Sequence, residues 1–278
     1  MRQRPFHQVD VFASREFSGN PVAVVHDAEG ITTEQMLQFT DWTNLSETTF
    51  LFPPTDDSAD YRVRIFCPGR ELPFAGHPTL GTCQAWLTAG GIPKSDTIIQ
   101  ECGAGLIPIR RDGDRLAFAA PPMTRTGPGD PAFLAQRLRQ LGLTADDIVD
   151  AEWIDNGPGW FGILLPSADA VLDLPLPTEL IPNFDVGLIG PYAEGDCAIE
   201  VRAFFADAGG NVREDPVTGS LNASAAQWLL ASGRIEAPYV ASQGTQLGRR
   251  GRVFINEADG EIWVGGRSVA SIAGTITI

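Results

Sequence analysis

The sequence predicts an α+β fold of two similar domains, because it combines a long internal repeat, enough apolar residues for two cores and a central linker. With 278 residues, 43% of them hydrophobic, the chain exceeds the roughly 100–200 residues of a usual single domain. A Gly/Pro/Thr-rich stretch at 120–129 is the best linker. We therefore predict an N-terminal domain at 1–119 and a C-terminal domain at 130–269. We expect the last strand, about 270–278, to join the first domain.

Apolar periodicity predicts the elements of each half. In the first half, strands are expected near 7–12, 21–26, 48–53, 61–67, 97–101, 105–111 and 115–119. Helices are expected from Thr32 or Thr33 to about 43, and after Pro78. In the second half, a helix is expected near 131–141 and strands near 151–155 and 160–166. Residues 171–197 are rich in Pro and Gly and give no assignment.

The internal repeat pairs two segments that follow the same plan. In the first, a strand-like run at 62–66 leads to His77-Pro78 and then to a helical stretch that ends at Ala85-Trp86-Leu87. In the second, a run at 200–205 leads to Asp215-Pro216 and a helical stretch that ends at Gln227-Trp228-Leu229. Two such copies place the His77 and Asp215 loops on opposite sides of one cleft. The alternative is that Pro and Gly only begin a helix and permit close packing.

Composition excludes several classes of function. A formal charge of −15 without a basic run argues against nucleic-acid binding. Lys94 is the only lysine and lies in a turn-like segment, so Schiff-base, pyridoxal and P-loop chemistry are not expected. Three histidines and four widely spaced cysteines form no metal-binding motif and no disulfide framework. No GxGxxG follows a strand, which argues against a dehydrogenase.

Targeting signals are not found in the sequence either. The first ten residues have no apolar h-region, and no apolar run reaches the ~20 residues of a membrane span. We therefore expect a cytoplasmic protein that does not contact membranes.

An ordered set of motifs resembles the PhzF family of phenazine-biosynthesis isomerase-like proteins, whose fold is that of diaminopimelate epimerase. The motifs are Val9-Asp10-Val11-Phe12, Phe17-Ser18-Gly19-Asn20-Pro21, Asn44-Leu45-Ser46-Glu47, Gly76-His77-Pro78-Thr79, Glu214-Asp215-Pro216-Val217-Thr218-Gly219-Ser220 and Val264-Gly265-Gly266. The resemblance spans almost the whole chain. It implies two domains, each a β-barrel-like sheet around a central helix, with the active-site cleft between them.

The same resemblance implies a cofactor-independent isomerase that binds no metal and forms a homodimer. It assigns Glu47 as the proton-carrying base, with His77, Asp215 and Ser220 as its partners. A small carboxylate substrate is expected. The family includes many proteins without an assigned substrate, so the resemblance does not name the reaction.

Glu47 suits this role chemically, because it precedes the apolar run 48–52 and burial raises a carboxyl pKa toward working pH. The alternative is a surface glutamate at a helix end. We found no counterpart of Glu47 in the second repeat, which favours a one-base shuttle. The positions of the two thiol bases of epimerases correspond to Ala75 and about Pro216, so a two-thiol racemase is disfavoured.

His77 and Asp215 are the other two catalytic candidates, and the remaining candidates are expected to bind the substrate. His77 either assists catalysis or hydrogen-bonds its loop, and Asp215 either caps a helix or orients an amine or hydroxyl. The helix starts, with Thr79 and Ser220, offer free backbone N–H groups for a carboxylate. We assign Asn20, Gly76, Thr79, Gly219 and Ser220 to substrate binding, although Asn20 is equally a turn residue. Amino-acid racemisation or epimerisation, and ligand binding without turnover, are the alternatives.

Overall fold

The computed structural model describes residues 2–178, 185–206 and 210–278. It divides into two compact units, of which the first comprises Met1–Ala119 with Gly265–Ile278 and the second comprises Ala120–Val264. The stretch 120–129, expected as a linker, lies in the second unit and contains a short strand at Arg125–Pro128. Of the unassigned stretch 171–197, residues 179–184 lie outside the described residues.

Up to Ala119, the first unit contains seven long strands, one short strand and two helices. In chain order they are β1 (Gln3–Val11), β2 (Asn20–Val25), α1 (Thr33–Thr43), β3 (Glu47–Phe52), β4 (Tyr61–Cys67), β5 (Arg70–Leu72), α2 (Gly76–Thr88), β6 (Ile98–Cys102), β7 (Gly105–Asp112) and β8 (Arg115–Ala119). These elements follow the predicted order. The predicted cap is also confirmed, because the Thr32 side chain accepts a hydrogen bond from the Gln35 N–H.

Strand pairing closes the first unit into a barrel. The ring runs β1–β2–β3–β4–β6–β7–β8. The last strand of the chain, at Glu261–Thr277, completes it by pairing with both β8 and β1. Helix α2 packs against β1, β2, β3 and β8, and nine of its residues are buried. A helix buried over so much of its surface, polar residues included, is stable only when strands surround it.

The second unit repeats this design. Its elements are β9 (Arg125–Pro128), α3 (Pro131–Leu141), β10 (Asp150–Asp155), β11 (Trp160–Leu164), α4 (Ala168–Leu172), β12 (Asp185–Pro191), β13 (Ile199–Ala206), β14 (Val212–Asp215), α5 (Gly219–Ala231), β15 (Tyr239–Gln243), β16 (Gly251–Ala258) and the start of β17 (Glu261–Thr277). Helix α5 is the counterpart of α2, and ten of its residues are buried.

The internal repeat is visible in the order of strand pairings. From β1 to β7 the pairings are antiparallel, parallel, antiparallel, parallel and antiparallel. From β10 to β16, with β14 set aside as β5 is, the same sequence of directions recurs. Phe66 faces Thr48 in the first unit, and the repeat-equivalent Phe204 faces Val186 in the second. The predicted repeat is therefore structural.

The two central helices begin at different points relative to their prolines. Helix α2, expected to follow Pro78, already begins at Gly76. Proline is tolerated there because the first-turn N–H groups have no intrahelical partner. Helix α5 begins at Gly219, three residues after Pro216. His77 is consequently helical, whereas Asp215 is the last residue of a strand.

Within the described ranges, no helix is long and apolar enough to cross a membrane.

Phe50 provides a test of the first core. It is fully buried, and its ring lies 5.5 Å from that of Phe66 and 6.3 Å from that of Phe39. We expect Phe50→Ala to lower the free energy of unfolding by about 3–5 kcal/mol in urea denaturation, since it leaves a cavity. Trp42→Ala is the matched control, because 79% of Trp42 is exposed. Equal losses in the two variants would contradict this core.

Candidate active site

The turn between β1 and β2 is held by a buried aspartate. Asp10 accepts hydrogen bonds from the backbone N–H groups of Ser18, at 3.0 Å, and Gly19, at 2.9 Å. A Cβ at Gly19 would overlap the carbonyl oxygen of Val11, so no larger residue fits this turn. The turn delivers Asn20, which is fully buried, to the first position of β2.

His77 is the next side chain of this cluster. It is 3% exposed, and its Nδ1 lies 3.3 Å from Nδ2 of Asn20. Burial lowers the pKa of His77 to about 3, because removal from water disfavours the charged form. The imidazole is therefore neutral near pH 7.

Glu47 completes the cluster from the first position of β3. Its Oε2 lies 3.3 Å from Nε2 of His77, and 17% of its side chain is exposed. The parallel register places it opposite Val22 of β2, two residues after Asn20. The alternative of a surface glutamate at a helix end is not what the fold shows, because Glu47 begins a strand whose next four residues are buried. Because the imidazole is neutral, the contact is a close approach of a dipole to a carboxyl group rather than an ion pair, and Nε2 and Oε2 are not aligned for a hydrogen bond.

Fewer backbone N–H groups are free at the start of α2 than the sequence predicts. The N–H of Thr79, predicted to be free, donates to the carbonyl of Ala75 at 3.1 Å, because the helix begins earlier than predicted. The Thr79 hydroxyl accepts from Gln100 Nε2 at 2.9 Å. The first turn is that of Gly76 and His77, and no side chain caps it.

Asp215 belongs to a second cluster, in the second unit. The expectation that it caps a helix is wrong, because Thr218 is the N-cap residue of α5. Asp215 instead accepts a hydrogen bond from the Thr218 hydroxyl at 2.5 Å. Gln243 ties the same loop together by accepting from the Thr218 N–H and donating to the Asp215 carbonyl. The carboxyl of Asp215 is thus fixed just before the helix and is 8% exposed.

Ser220 lies in the first turn of α5, beside Gly219. Its Oγ accepts a hydrogen bond from Trp160 Nε1 at 3.0 Å, and its carbonyl accepts from Asn156 Nδ2 at 2.8 Å. Because Oγ already accepts from an indole, its own proton is available to donate. Asn156 and Trp160, which hold Ser220, were not among the site residues predicted from the sequence. Their signal was the Asp-Asn-Gly-Pro-Gly turn that separates two predicted strands.

The second unit also has a carboxylate where the first has Glu47. Thr48 is opposite Phe66 and Val186 is opposite the equivalent Phe204, so the preceding residues, Glu47 and Asp185, occupy equivalent positions. The expectation that Glu47 has no counterpart is therefore wrong. Only the strand register reveals Asp185, because the segment before it shows no sequence similarity to the segment before Glu47.

The thiols are not poised to act as bases. All four cysteines are free, and burial is the main cause that raises the pKa of each. For Cys83 the pKa rises to about 12. Cys67 lies near Glu47, whose charge raises its pKa further. Protonated thiols are weak bases and nucleophiles, which agrees with the argument against a two-thiol racemase.

No group of three or more His, Cys, Asp or Glu side chains suited to a metal ion occurs in the part of the chain that the structure describes. The candidates thus form two clusters. Asn20, Gly76, His77 and Glu47 lie together in the first unit, with Thr79 one helical turn on, and Asp215, Gly219 and Ser220 lie together in the second.

Comparison with known proteins gives consistent matches over nearly the full chain. Residues 9–274 match a family model described as phenazine biosynthesis-like protein. The chain is 36% identical to antisense-enhancing sequence 1 of Schizosaccharomyces pombe, covering 99% of both proteins. It is 34% identical to trans-2,3-dihydro-3-hydroxyanthranilate isomerase of Pseudomonas fluorescens, covering 97% of this chain and 98% of that protein.

A solved structure confirms the predicted fold class. The crystal structure of a Bacillus anthracis phenazine biosynthesis protein of the PhzF family covers 100% of both chains, with a TM-score of 0.81 and 22% identity.

The Asp10 turn generates one prediction. Gly19→Ala should lower the free energy of unfolding by about 1–3 kcal/mol or more, because the added methyl group meets backbone that cannot move freely. Gly274→Ala is the matched control, since a Cβ there has no atom within 4 Å. Urea denaturation measures both. The turn is less constrained than described if Gly19→Ala proves as stable as Gly274→Ala.

The buried histidines generate a second prediction. Burial lowers the pKa of His77 to about 3 and is the main cause that lowers the pKa of His26 to about 4, both from 6.5. Below pH 6.5 these two histidines are protonated in the unfolded chain but remain neutral in the folded chain. The free energy of unfolding should therefore fall as the pH drops from about 6.5 to about 4. Denaturation series at several pH values should show a shallower fall for His77→Gln, and an unchanged slope would mean that His77 is not buried in the neutral form.

Proposed function

The chain belongs to the phenazine biosynthesis-like (PhzF) family and is an isomerase, and from this premise we propose that Glu47 is its single proton-transfer group. The proposed reaction moves a proton between two carbons of a small carboxylate substrate and needs no cofactor. The observation that carries the proposal is the contact between Glu47 and the buried, neutral His77.

The relative basicity of the two side chains supports this assignment. With its pKa near 3, the His77 imidazole is a poor base at neutral pH, because protonation would place a charge in a site removed from water. Glu47 is closer to water and has 17% of its side chain exposed. Of the pair, the carboxylate is the group able to accept a proton and return it.

The proposed step conserves atoms and electrons. The Glu47 carboxylate takes a proton from one substrate carbon, so that a C–H bond breaks, an O–H bond forms and the electron pair enters an adjacent π system. The O–H bond then breaks and a C–H bond forms at the other end of that system. The N–H end of neutral His77, 3.3 Å from the carboxylate, favours the ionised form of Glu47 before and after the transfer.

The second cluster supports a substrate with a carboxylate and a second polar group. The uncapped first turn at Gly219 and Ser220, with the positive end of the α5 dipole, suits a carboxylate. Asp215 suits an amine or hydroxyl. A cyclic amino or hydroxy carboxylate, such as the dihydro-hydroxyanthranilate that the name of the Pseudomonas fluorescens relative specifies, satisfies both requirements. Asn20, Gly76 and Thr79 are proposed as further binding residues.

One other reaction is retained as a candidate. The same residues could racemise or epimerise an amino acid, and Asp185, at the position equivalent to Glu47, is the observation that favours a second acid–base group.

The test is a screen of cyclic amino and hydroxy carboxylates in deuterated water, with wild type and Glu47→Gln. We expect wild type to shift a double bond, and Glu47→Gln to lose at least about a hundredfold in kcat, because amide cannot carry the proton. Glu257→Gln, at an exposed position on β16, is the matched control and should keep full activity.

Each outcome separates the candidates. Inversion of configuration with deuterium entering at Cα would identify an epimerase. Binding of a carboxylate without turnover by wild type would identify a binding protein. Turnover by Glu47→Gln equal to that of wild type would remove Glu47 from its proposed role.

We also propose a homodimer and a cytoplasmic location. Both follow from the resemblance and the sequence, and sedimentation velocity and cell fractionation would test them.

A further inference from the structure

We propose that Asn20 is a positioning residue that fixes His77 in the tautomer with its proton on Nε2, and thereby keeps the shuttled proton on Glu47. The second part of this inference rests on the proposed function of Glu47. The first part, the tautomer, is independent of any reaction.

The contact at Nδ1 decides the tautomer. Asn20 Nδ2 lies 3.3 Å from His77 Nδ1, and an amide nitrogen has only hydrogens to offer, so Nδ1 must accept. A neutral imidazole carries one N–H, which must then be on Nε2. Both side chains are buried, at 0% for Asn20 and 3% for His77, so water cannot easily replace the amide as donor.

The contact at Nε2 agrees with this assignment. Glu47 Oε2 lies 3.3 Å away, without the alignment of a hydrogen bond, and the positive N–H end of a neutral imidazole is attracted to a carboxylate at that distance. In the other tautomer the unprotonated Nε2 would face the carboxylate, which is repulsive until the carboxyl is protonated. Asn20 therefore favours the arrangement that suits ionised Glu47.

The tautomer of His77 also affects the protonated state of Glu47 that forms during the reaction. A protonated carboxyl could donate to Nε2 only if that nitrogen had a free lone pair. With Nδ1 engaged by Asn20, Nε2 already bears a hydrogen, and a second proton would create a buried imidazolium. His77 therefore cannot accept the proton from Glu47, and Glu47 keeps that proton until it returns it to the substrate.

The backbone around Asn20 explains how the amide is held. The two N–H groups bound by Asp10 immediately precede Asn20, and Asn20 pairs with Val11 in the register of β1 and β2. The amide thus approaches His77 from a fixed position.

The tautomer is tested by ¹⁵N NMR of the full-length protein. The chain has three histidines, so the one set of ring signals that disappears in His77→Gln belongs to His77. We expect a protonated Nε2 and an unprotonated Nδ1 for His77 at pH 7. A protonated Nδ1 would overturn the inference, and it would leave the role of Glu47 to the separate test with Glu47→Gln.

The proton-retention step is tested with a substrate that carries deuterium at the migrating position. In water, wild type should return label to the product. Asn20→Asp should place an acceptor beside Nδ1, move the His77 proton to Nδ1 and open Nε2 to Glu47. We expect its ratio of returned to lost label to fall at least about fivefold below wild type. An unchanged ratio despite the tautomer change would overturn this step.

A second variant keeps the test decisive if Asn20→Asp does not fold. His77→Gln cannot take up a proton, so label return should equal that of wild type even where kcat falls. Label return that drops in His77→Gln would show that His77 itself carries the proton and would overturn the proposal.

Discussion

The burial of α2 is the constraint on which the first unit depends. A helix enclosed by eight strands must bury even its first turn, so a histidine at its second position enters the interior. Such a group remains neutral, because the free energy of charging it there is high. The imidazole consequently acts as a dipole with one donor and one acceptor, and its neighbours decide which nitrogen takes which role. The proton transfer proposed for Glu47 depends on this arrangement.

The two units share a scaffold but not a chemistry. Their strand directions agree pair by pair, and both central helices are tied to the barrel by a buried glutamine, Gln100 to Thr79 and Gln243 to Thr218. The loops before those helices differ. One places His77 within the helix, and the other holds Asp215 outside it through a hydroxyl. At this loop the first unit therefore presents a neutral imidazole, and the second presents a carboxyl group held by a hydroxyl.

The elements and the repeat could be predicted because they depend on local periodicity. Strand positions such as Tyr61–Cys67, and the Thr32 cap, depend on side chains close in sequence. The start of α2 was missed because tertiary burial, rather than propensity, decides whether Gly76 and His77 are helical.

Asp185 and Trp160 were missed for a related reason. Their significance lies in a register between strands that are distant in sequence, and no short motif encodes it. The position of Glu47 beside His77 was predictable from the family resemblance. The hydrogen-bond direction at Asn20 required coordinates, because both tautomers are equally compatible with the sequence.

The final strand has a consequence for how the protein is made. The second unit is one continuous stretch, Ala120–Val264, whereas the barrel of the first unit is closed only by residues from Gly265 onward. A ribosome therefore makes the closing strand after the whole of the second unit, so the unit whose translation begins first is completed after the other. Until then the apolar interior of the first unit stays open to solvent, which exposes the incomplete chain to aggregation.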